Sequence, residues 1–471
     1  MTFLELCTLV VNFGLLGWVI GKKRKANASW RQEWPAGAAL IVTLAHLGID
    51  GARWQMIPGY AAPIFIGLYM VYRRNKTGRR KWWVVVPSFV VLTIYAVVSF
   101  FLPAVMPIFQ FAKPTGSYSI GTRVIHLQDA GKELMVQSWY PSEVGSSDKR
   151  TAYIQDVPEV TTALSKMLGF PGGTFRHLAH IRTHAYWETK LSSSEPSYPV
   201  LIFSHGLGGV RNQNTFQMEE LASHGYIVLS IDYPTYAAAT VFPDGRVVRD
   251  EHQNLVGAET AEQDRHMNDW ATEATFVLDQ LDKLNGSEWF QHKMDLQRIG
   301  MLGHSYGGST SVYMLQNDAR VKAALNMDGG IFGLPVDFKL LHKPLFMMAA
   351  DASLDVEAFN KSLDSYTEDE VLKQSGKPKA WHKANMDDLM ARRERMLAAG
   401  ALALVLPNSS HLTFSDLPLY APLLFAPKGD LKRKHVIINK YTVAFFDYYL
   451  KGDKTSFSRI ESYPNVQFHG L

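Results

Sequence analysis

Ser305 stands in Gly303-His304-Ser305-Tyr306-Gly307, directly after the apolar run Arg298–Leu302 and ahead of a stretch of helical character. A serine hydroxyl becomes a useful nucleophile only when a positioned base takes its proton. It must also be lifted clear of the backbone, which a strand–turn–helix elbow with glycine on both sides of the serine achieves. The turn sets the hydroxyl beside the amino end of the next helix, and Gly308 and Ser309 keep that helix slim where it crosses a sheet. The competing reading is a tight glycine turn around a buried serine.

A second motif, Ser204-His205-Gly206-Leu207-Gly208-Gly209, follows the apolar run Val200–Phe203. Acyl transfer needs two backbone N–H groups aimed at the developing oxyanion. One is expected from the residue after the nucleophile, Tyr306, and the other from a His-Gly loop after an earlier strand, which makes Leu207 the second donor. His205 is expected to brace that loop. The base belongs after the last strand. Ala401–Leu406 is followed by Pro407-Asn408-Ser409-Ser410-His411, so His411 fits, whereas His435 opens the final helix and His469 lies in the tail. The carboxylate that orients the base is open at this point: Asp328 ends the strand Ala323–Met327 and Asp351 ends Pro344–Ala349, the later strand is the more usual source in the general fold, and spacing does not choose between them.

From Tyr118 onward, short β-rich runs alternate with helical stretches. The predicted strands are Arg123–His126, Leu134–Trp139, Val200–Phe203, Tyr226–Ile231, Arg298–Leu302, Ala323–Met327, Pro344–Ala349 and Ala401–Leu406. Several are continuously apolar, as strands covered on both faces should be. Predicted helices are Thr215–His224, Glu262–Leu284, Tyr306–Gln316, Met386–Ala399 and Ile437–Leu450. The alternation implies an α/β class with a mostly parallel sheet, and the elbow places it in the α/β-hydrolase fold. Residues 144–150 and 192–197 read as surface loops.

The chain of 471 residues is long for one typical domain, and its first 112 residues differ in kind from the rest. Up to residue 112 there are 12 Lys+Arg against 3 Asp+Glu; beyond it, 36 against 41. The overall charge of +4 therefore hides a basic first part and an acidic second. The basic excess flanks apolar runs, which makes it a topology signal rather than a nucleic-acid footprint. Those runs are Phe3–Ile20, Pro35–Ile49, Met56–Tyr72 and Trp82–Leu102. A spanning helix needs ~17–25 residues, which the second run does not reach. Lys22–Lys25 and Arg31, then Arg73–Lys81, mark the retained side, so four crossings are expected, with everything after about Pro103 outside. Met1–Glu5 carries only an acidic charge, unlike a cleaved signal peptide. The expected organisation is a transmembrane region at 1–112 and a catalytic domain at 113–471, in a multi-pass membrane protein. His46, Asp50 and Arg53 read as interfacial residues, with a polar intramembrane site as the alternative.

Three stretches carry a family resemblance. They are Phe203-Ser204-His205-Gly206-Leu207-Gly208, Leu221-Ala222-Ser223-His224-Gly225-Tyr226-Ile227-Val228, and Gly303-His304-Ser305-Tyr306-Gly307-Gly308. Together they resemble the plasma platelet-activating factor acetylhydrolase family, the lipoprotein-associated phospholipases, over about Leu134 to Phe414. The resemblance implies Ser305 as nucleophile, Asp328 in Leu325-Asn326-Met327-Asp328 as acid, and His411 in Ser410-His411-Leu412-Thr413-Phe414 as base. It thus favours Asp328 over Asp351. It also implies calcium-independent hydrolysis of short or oxidised acyl esters on lipids. The chain departs from the family in the four preceding apolar runs and at Gly329-Gly330-Ile331-Phe332-Gly333.

No cofactor and no metal are expected, and the partners expected are the lipid bilayer and a lipid or small ester, not nucleic acid. Cys7 is the single cysteine, so disulfides and thiolate metal sites are excluded. His177, His180 and His184 have a spacing that could gather on a helix around an ion, but no carboxylate motif accompanies them. Asn27 and Asn75 match a glycosylation pattern in loops assigned to the inside. Leu417–Pro427 reads as core packing or as an apolar rim that meets lipid. The alternatives to an ester hydrolase are a peptidase or acyltransferase on the same fold, or an inactive membrane binding or receptor protein.

Overall fold

A computed structural model of the chain describes residues 1–21, 34–72, 82–255, 257–334, 341–426, 429–461 and 463–469. The basic stretches at 22–31 and 73–81 that carry the orientation argument, with Asn27 and Asn75, lie outside the described residues. The chain forms two compact units. One comprises Met1–Phe109 with Phe175–Ile181 and Leu419–Leu424; the other comprises Gln110–Thr174, Arg182–Pro418 and Phe425–Leu471.

The larger unit is built on a twelve-stranded sheet. Its central strands are β1 (Ser119–Asp129), β2 (Lys132–Glu143), β3 (Tyr198–Ser204), β4 (Ile227–Ile231), β5 (Met294–His304), β6 (Val321–Met327), β7 (Leu345–Ala350) and β8 (Leu402–Leu406). They lie in the order β1-β2-β4-β3-β5-β6-β7-β8. The β1–β2 and β2–β4 pairs are antiparallel, and every pair from β4 to β8 is parallel. Short strands at Arg150–Ala152, Arg182–Trp187 and Lys190–Leu191 extend the β1–β2 side, and Gln467–His469 pairs antiparallel with β8.

Parallel strands read as apolar throughout because helices cover both faces. Every residue of β3 and β7 is buried. Val200, Ile202 and Met301 join one cluster with Trp270, Ala274 and Val277 of the helix Thr260–Asp279 and with Val312 and Leu315 of the helix Tyr306–Asn317. The intervening positions face the other way: a side chain at Gly300 would meet Phe446 and Leu201. On that face lie the helices Thr215–Ser223 and Leu431–Leu450, joined by a hydrogen bond from Gln217 Nε2 to Thr442 Oγ1. The eight predicted strands are thus all present, extended by one to seven residues or trimmed by one at their ends. Helices at Val157–Met167, Val356–Asp364 and Glu368–Ser375 are additions, and the predicted helix 262–284 divides into Thr260–Asp279 and Leu281–Asn285.

The smaller unit contains the helices Phe3–Gly21, Trp34–Ile49, Ile57–Tyr72 and Trp82–Val105. The first and last are long and apolar enough to cross a membrane; Trp34–Ile49 and Ile57–Tyr72 have 16 residues each. Trp82–Val105 exposes Val86, Val90, Val91, Ile94, Val97 and Phe101 along its length. The inner side of the unit is not uniformly apolar. Glu5 pairs with Arg53 at 2.5 Å, both fully or nearly fully buried, and Arg53 Nη1 donates to the Met106 carbonyl (2.6 Å). His46 is also buried and meets the Tyr60 hydroxyl at 3.0 Å. His46 and Arg53 are thus buried within the unit, each with a polar partner there.

Candidate active site

The elbow has the geometry that its glycines allow. Ser305 sits at φ 57°, ψ −125°, between the end of β5 and the helix Tyr306–Asn317. A non-glycine residue in the left-handed region costs on the order of 1–3 kcal/mol and persists only when its surroundings fix it. Here the Ser305 amide donates to the Met327 carbonyl on β6 (2.9 Å). Close approach explains the flanking glycines: a Cβ on Gly303 would lie 2.2 Å from the Gly307 carbonyl oxygen, and one on Gly307 would lie 2.1 Å from that of Ser204.

Three polar side chains from three strand ends converge on this turn. Ser305 Oγ and His411 Nε2 are 2.9 Å apart, and His411 Nδ1 is 2.8 Å from Asp328 Oδ2. A carboxylate accepts only, so Nδ1 carries the proton and Nε2 presents its lone pair to the serine hydroxyl. Asp328, with φ 56°, also accepts from the Ala350 amide (2.8 Å) and the Ser353 hydroxyl (2.7 Å). Burial pushes its carboxyl upward, but the hydrogen bonds from His411, Ser353 and Ala350 outweigh this and hold it below the usual aspartate range. Asp328 is enclosed, whereas His411 is exposed. The series is therefore rigid at its carboxylate end and open at its serine end.

Asp351 lies elsewhere. Its carboxylate accepts from the amides of Asn408 (2.6 Å) and Ser409 (2.9 Å), holding the loop that leads to His411. The far end of that loop is held by Asp416, whose buried carboxylate accepts from Thr215 (2.7 Å) and Phe216 (3.3 Å) at the start of a helix.

The Leu207 loop lies against the elbow, where a Cβ on Gly206 would come within 3.0 Å of Ser305 Cβ. Neither the Leu207 nor the Tyr306 amide has a hydrogen-bond partner among the described residues. His205 is fully buried: Nδ1 donates to the Gly206 carbonyl (2.7 Å) and Nε2 accepts from the Tyr233 amide (3.2 Å). Burial keeps it uncharged, and both nitrogens are engaged within the loop region.

Gly329–Leu334 runs beside the elbow. The Gly329 amide donates to Asn326 Oδ1 (2.7 Å), the Phe332 amide donates to Ser309 Oγ (2.8 Å), and the Phe332 ring stacks on Tyr306 at 5.5 Å. Asp264 accepts from the Gly333 amide (2.7 Å) and takes a bidentate pair from Arg392 at 2.7 and 2.9 Å. Sequence reasoning passed over Asp264, Arg392, Ser353 and Asp416. It assigned no separate role to His304 or to Gln213. His177 and His184 turn to different partners: His177 to Gln55 (3.3 Å) and His184 to Glu219 (2.9 Å). Among the described residues no cluster of His, Cys, Asp or Glu is arranged to hold a metal ion.

The strand order, the elbow after β5 and the polar series at the carboxyl ends of β5, β6 and β8 define an α/β hydrolase. The ferulic acid esterase from Streptomyces cinnamoneus has a similar structure, with a TM-score of 0.57 and 27% identity over 77% of this chain and 99% of that one. Residues 104–462 match the family model described as platelet-activating factor acetylhydrolase, isoform II, and the chain belongs to that family. Among relatives, the platelet-activating factor acetylhydrolase of Cavia porcellus is 26% identical over 51% of this chain and 60% of its own length. That of Canis lupus familiaris is 25% identical over 56% and 65%. A probable 1-alkyl-2-acetylglycerophosphocholine esterase of Arthroderma benhamiae is 25% identical over 48% and 60%. The chain thus spans about three fifths of the length of the curated relatives it matches.

Proposed function

We propose that the chain is a membrane-tethered serine ester hydrolase that cleaves short acyl esters of lipids or lipid-like substrates. The observation that carries this is the Ser305–His411–Asp328 series, at 2.9 and 2.8 Å, beside two amides without partners among the described residues. Ser305 Oγ attacks the ester carbonyl while His411 Nε2 takes its proton, and Asp328 holds the imidazole and stabilises its charge. The negative charge on the carbonyl oxygen rests on the amides of Leu207 and Tyr306. His411 then gives the proton to the leaving alcohol. Water, deprotonated by the same imidazole, attacks the acyl-serine and releases the free acid.

The names of relatives support the substrate class: one is a platelet-activating factor acetylhydrolase and another a probable 1-alkyl-2-acetylglycerophosphocholine esterase. Purified enzyme in detergent is expected to hydrolyse acetyl and butyryl esters with kcat/KM at least about tenfold above that for palmitoyl esters, a difference of about 1.4 kcal/mol. A flat or rising series with chain length would remove the short-acyl assignment and leave a general esterase.

Tethering is supported by Phe3–Gly21 and Trp82–Val105, both long and apolar enough to cross a membrane. A tethered enzyme meets lipid at high local concentration. The full chain is expected to stay with the membrane pellet through an alkaline carbonate wash and to leave it only in detergent. Release by carbonate would assign these helices to a soluble core.

A further inference from the structure

We propose that Gln213 and His304 are positioning residues, joining the oxyanion loop to the loop of the catalytic base through one directional series of hydrogen bonds. The series begins at the Gly206 amide, which donates to Gln213 Oε1 (3.1 Å). Gln213 Nε2 donates to His304 Nδ1 (2.8 Å), and His304 Nε2 donates to the main-chain carbonyl of His411 itself (2.8 Å). Its polarity is fixed from one end. The His411 carbonyl can only accept, so Nε2 of a neutral His304 carries the proton and Nδ1 is bare. Gln213 must then present its NH2 group to His304, which leaves its oxygen for Gly206. Every donor points the same way, and such chains polarise one another.

Other observations fit this role. Gln213 and His304 are each 3% exposed. Burial, with His411 beside it, pulls the His304 pKa down to about 3, so the neutral form is kept wherever the enzyme works. The His304 and His411 rings lie 4.6 Å apart, so His304 supports the base by ring packing as well as through the carbonyl. Gln213 also accepts at its main-chain carbonyl from the Asp416 amide (2.8 Å), just beyond the base loop. The remaining Gln213 N–H points to Asn214 Oδ1 (3.3 Å). Two side chains thus fix two loops that are distant in sequence against the elbow, and neither touches Ser305 Oγ.

This inference rests on the Ser305 reaction proposed above, and the experiment separates the two. Full-length Gln213→Met, His304→Phe, the double variant, His304→Gln and Ser305→Ala are compared on a short aryl ester. Turnover is expressed per site titrated by a fluorophosphonate, alongside the melting temperature; for Ser305→Ala it is expressed per mole of folded protein. Misplacement by about 1 Å costs on the order of a hundredfold, so each single loss is expected to lower kcat by about 10–100-fold with KM within about twofold. Because both act in one series, the double variant is expected to fall no further than the worse single. His304→Gln, which retains a donor toward the His411 carbonyl, is expected to recover about tenfold over His304→Phe. Single variants with wild-type kcat, losses that multiply in the double, or an effect confined to melting temperature overturn the proposal. Failure of both singles to fold does so too, by assigning the pair to stability. If Ser305→Ala keeps wild-type turnover, the reaction itself has been misassigned. If it is inactive while the Gln213 and His304 variants behave as wild type, only the positioning series falls.

Discussion

Ser305→Ala is expected to lower kcat on short esters by about 10⁴–10⁶-fold, with KM little changed, and His411→Ala to do nearly the same. The two act as a unit. Without the hydroxyl there is no atom to form the acyl intermediate; without Nε2, 2.9 Å from Oγ, the hydroxyl keeps its proton through the attack. Combining the two is therefore expected to cost little beyond either alone. The residual rate is carried by the Leu207 and Tyr306 amides, which neither substitution alters. A fluorophosphonate should label wild type stoichiometrically, His411→Ala slowly and Ser305→Ala not at all. Turnover within about tenfold of wild type in either variant would remove Ser305 and His411 from the chemistry.

The elements were legible where the signal was local. Apolar runs such as Val200–Phe203 become strands covered on both faces because nothing in them can face water. The elbow is five residues long, and its glycines are required by backbone contacts within the turn and to the adjacent loop. Legibility ended at short helices that bury little of their surface. Val356–Asp364 has no buried residue, and Glu368–Ser375 has one, Val371. Yet Glu368–Ser375 carries local marks that were available: Thr367 and Glu370 form a capping box, and Gly376 ends it in the left-handed conformation. Partners distant in sequence were invisible. The pairing of Arg53 with Glu5 joins residues of different elements and leaves no local mark. His304 carried no legible role of its own because its hydrogen-bond partners, Gln213 and the His411 carbonyl, lie 91 and 107 positions away. The two aspartates at the ends of β6 and β7 have equivalent sequence settings; what distinguishes them is where the 402–411 segment brings His411.

Substitution of those aspartates separates the two roles. Asp328→Asn is expected to cost about 10⁴-fold in kcat. An asparagine can keep an oxygen for the Ala350 amide, but its NH2 then faces His411 Nδ1. The imidazole responds by moving its proton to Nε2, the tautomer that cannot accept from Ser305. Rotating the amide restores the acceptor toward His411 and sets its NH2 against the Ala350 N–H, so neither orientation satisfies both neighbours. Because hydrogen bonds hold the Asp328 carboxyl below its usual range, its contribution to stability is present above the unfolded value of about 3.9 and lost only as pH falls through the lower folded value. The native carboxylate is thus ionised across about pH 5–8, and no change in its ionisation contributes to the deficit within that window. Asp351→Asn removes one of two charge-assisted acceptors from the Asn408 and Ser409 amides and leaves the His411 tautomer untouched. The loss there, about 1–2 kcal/mol, is expected to appear as a lower melting temperature and at most about tenfold in kcat. Equal losses at the two positions, or the larger one at Asp351, would transfer the acid's role to the later strand.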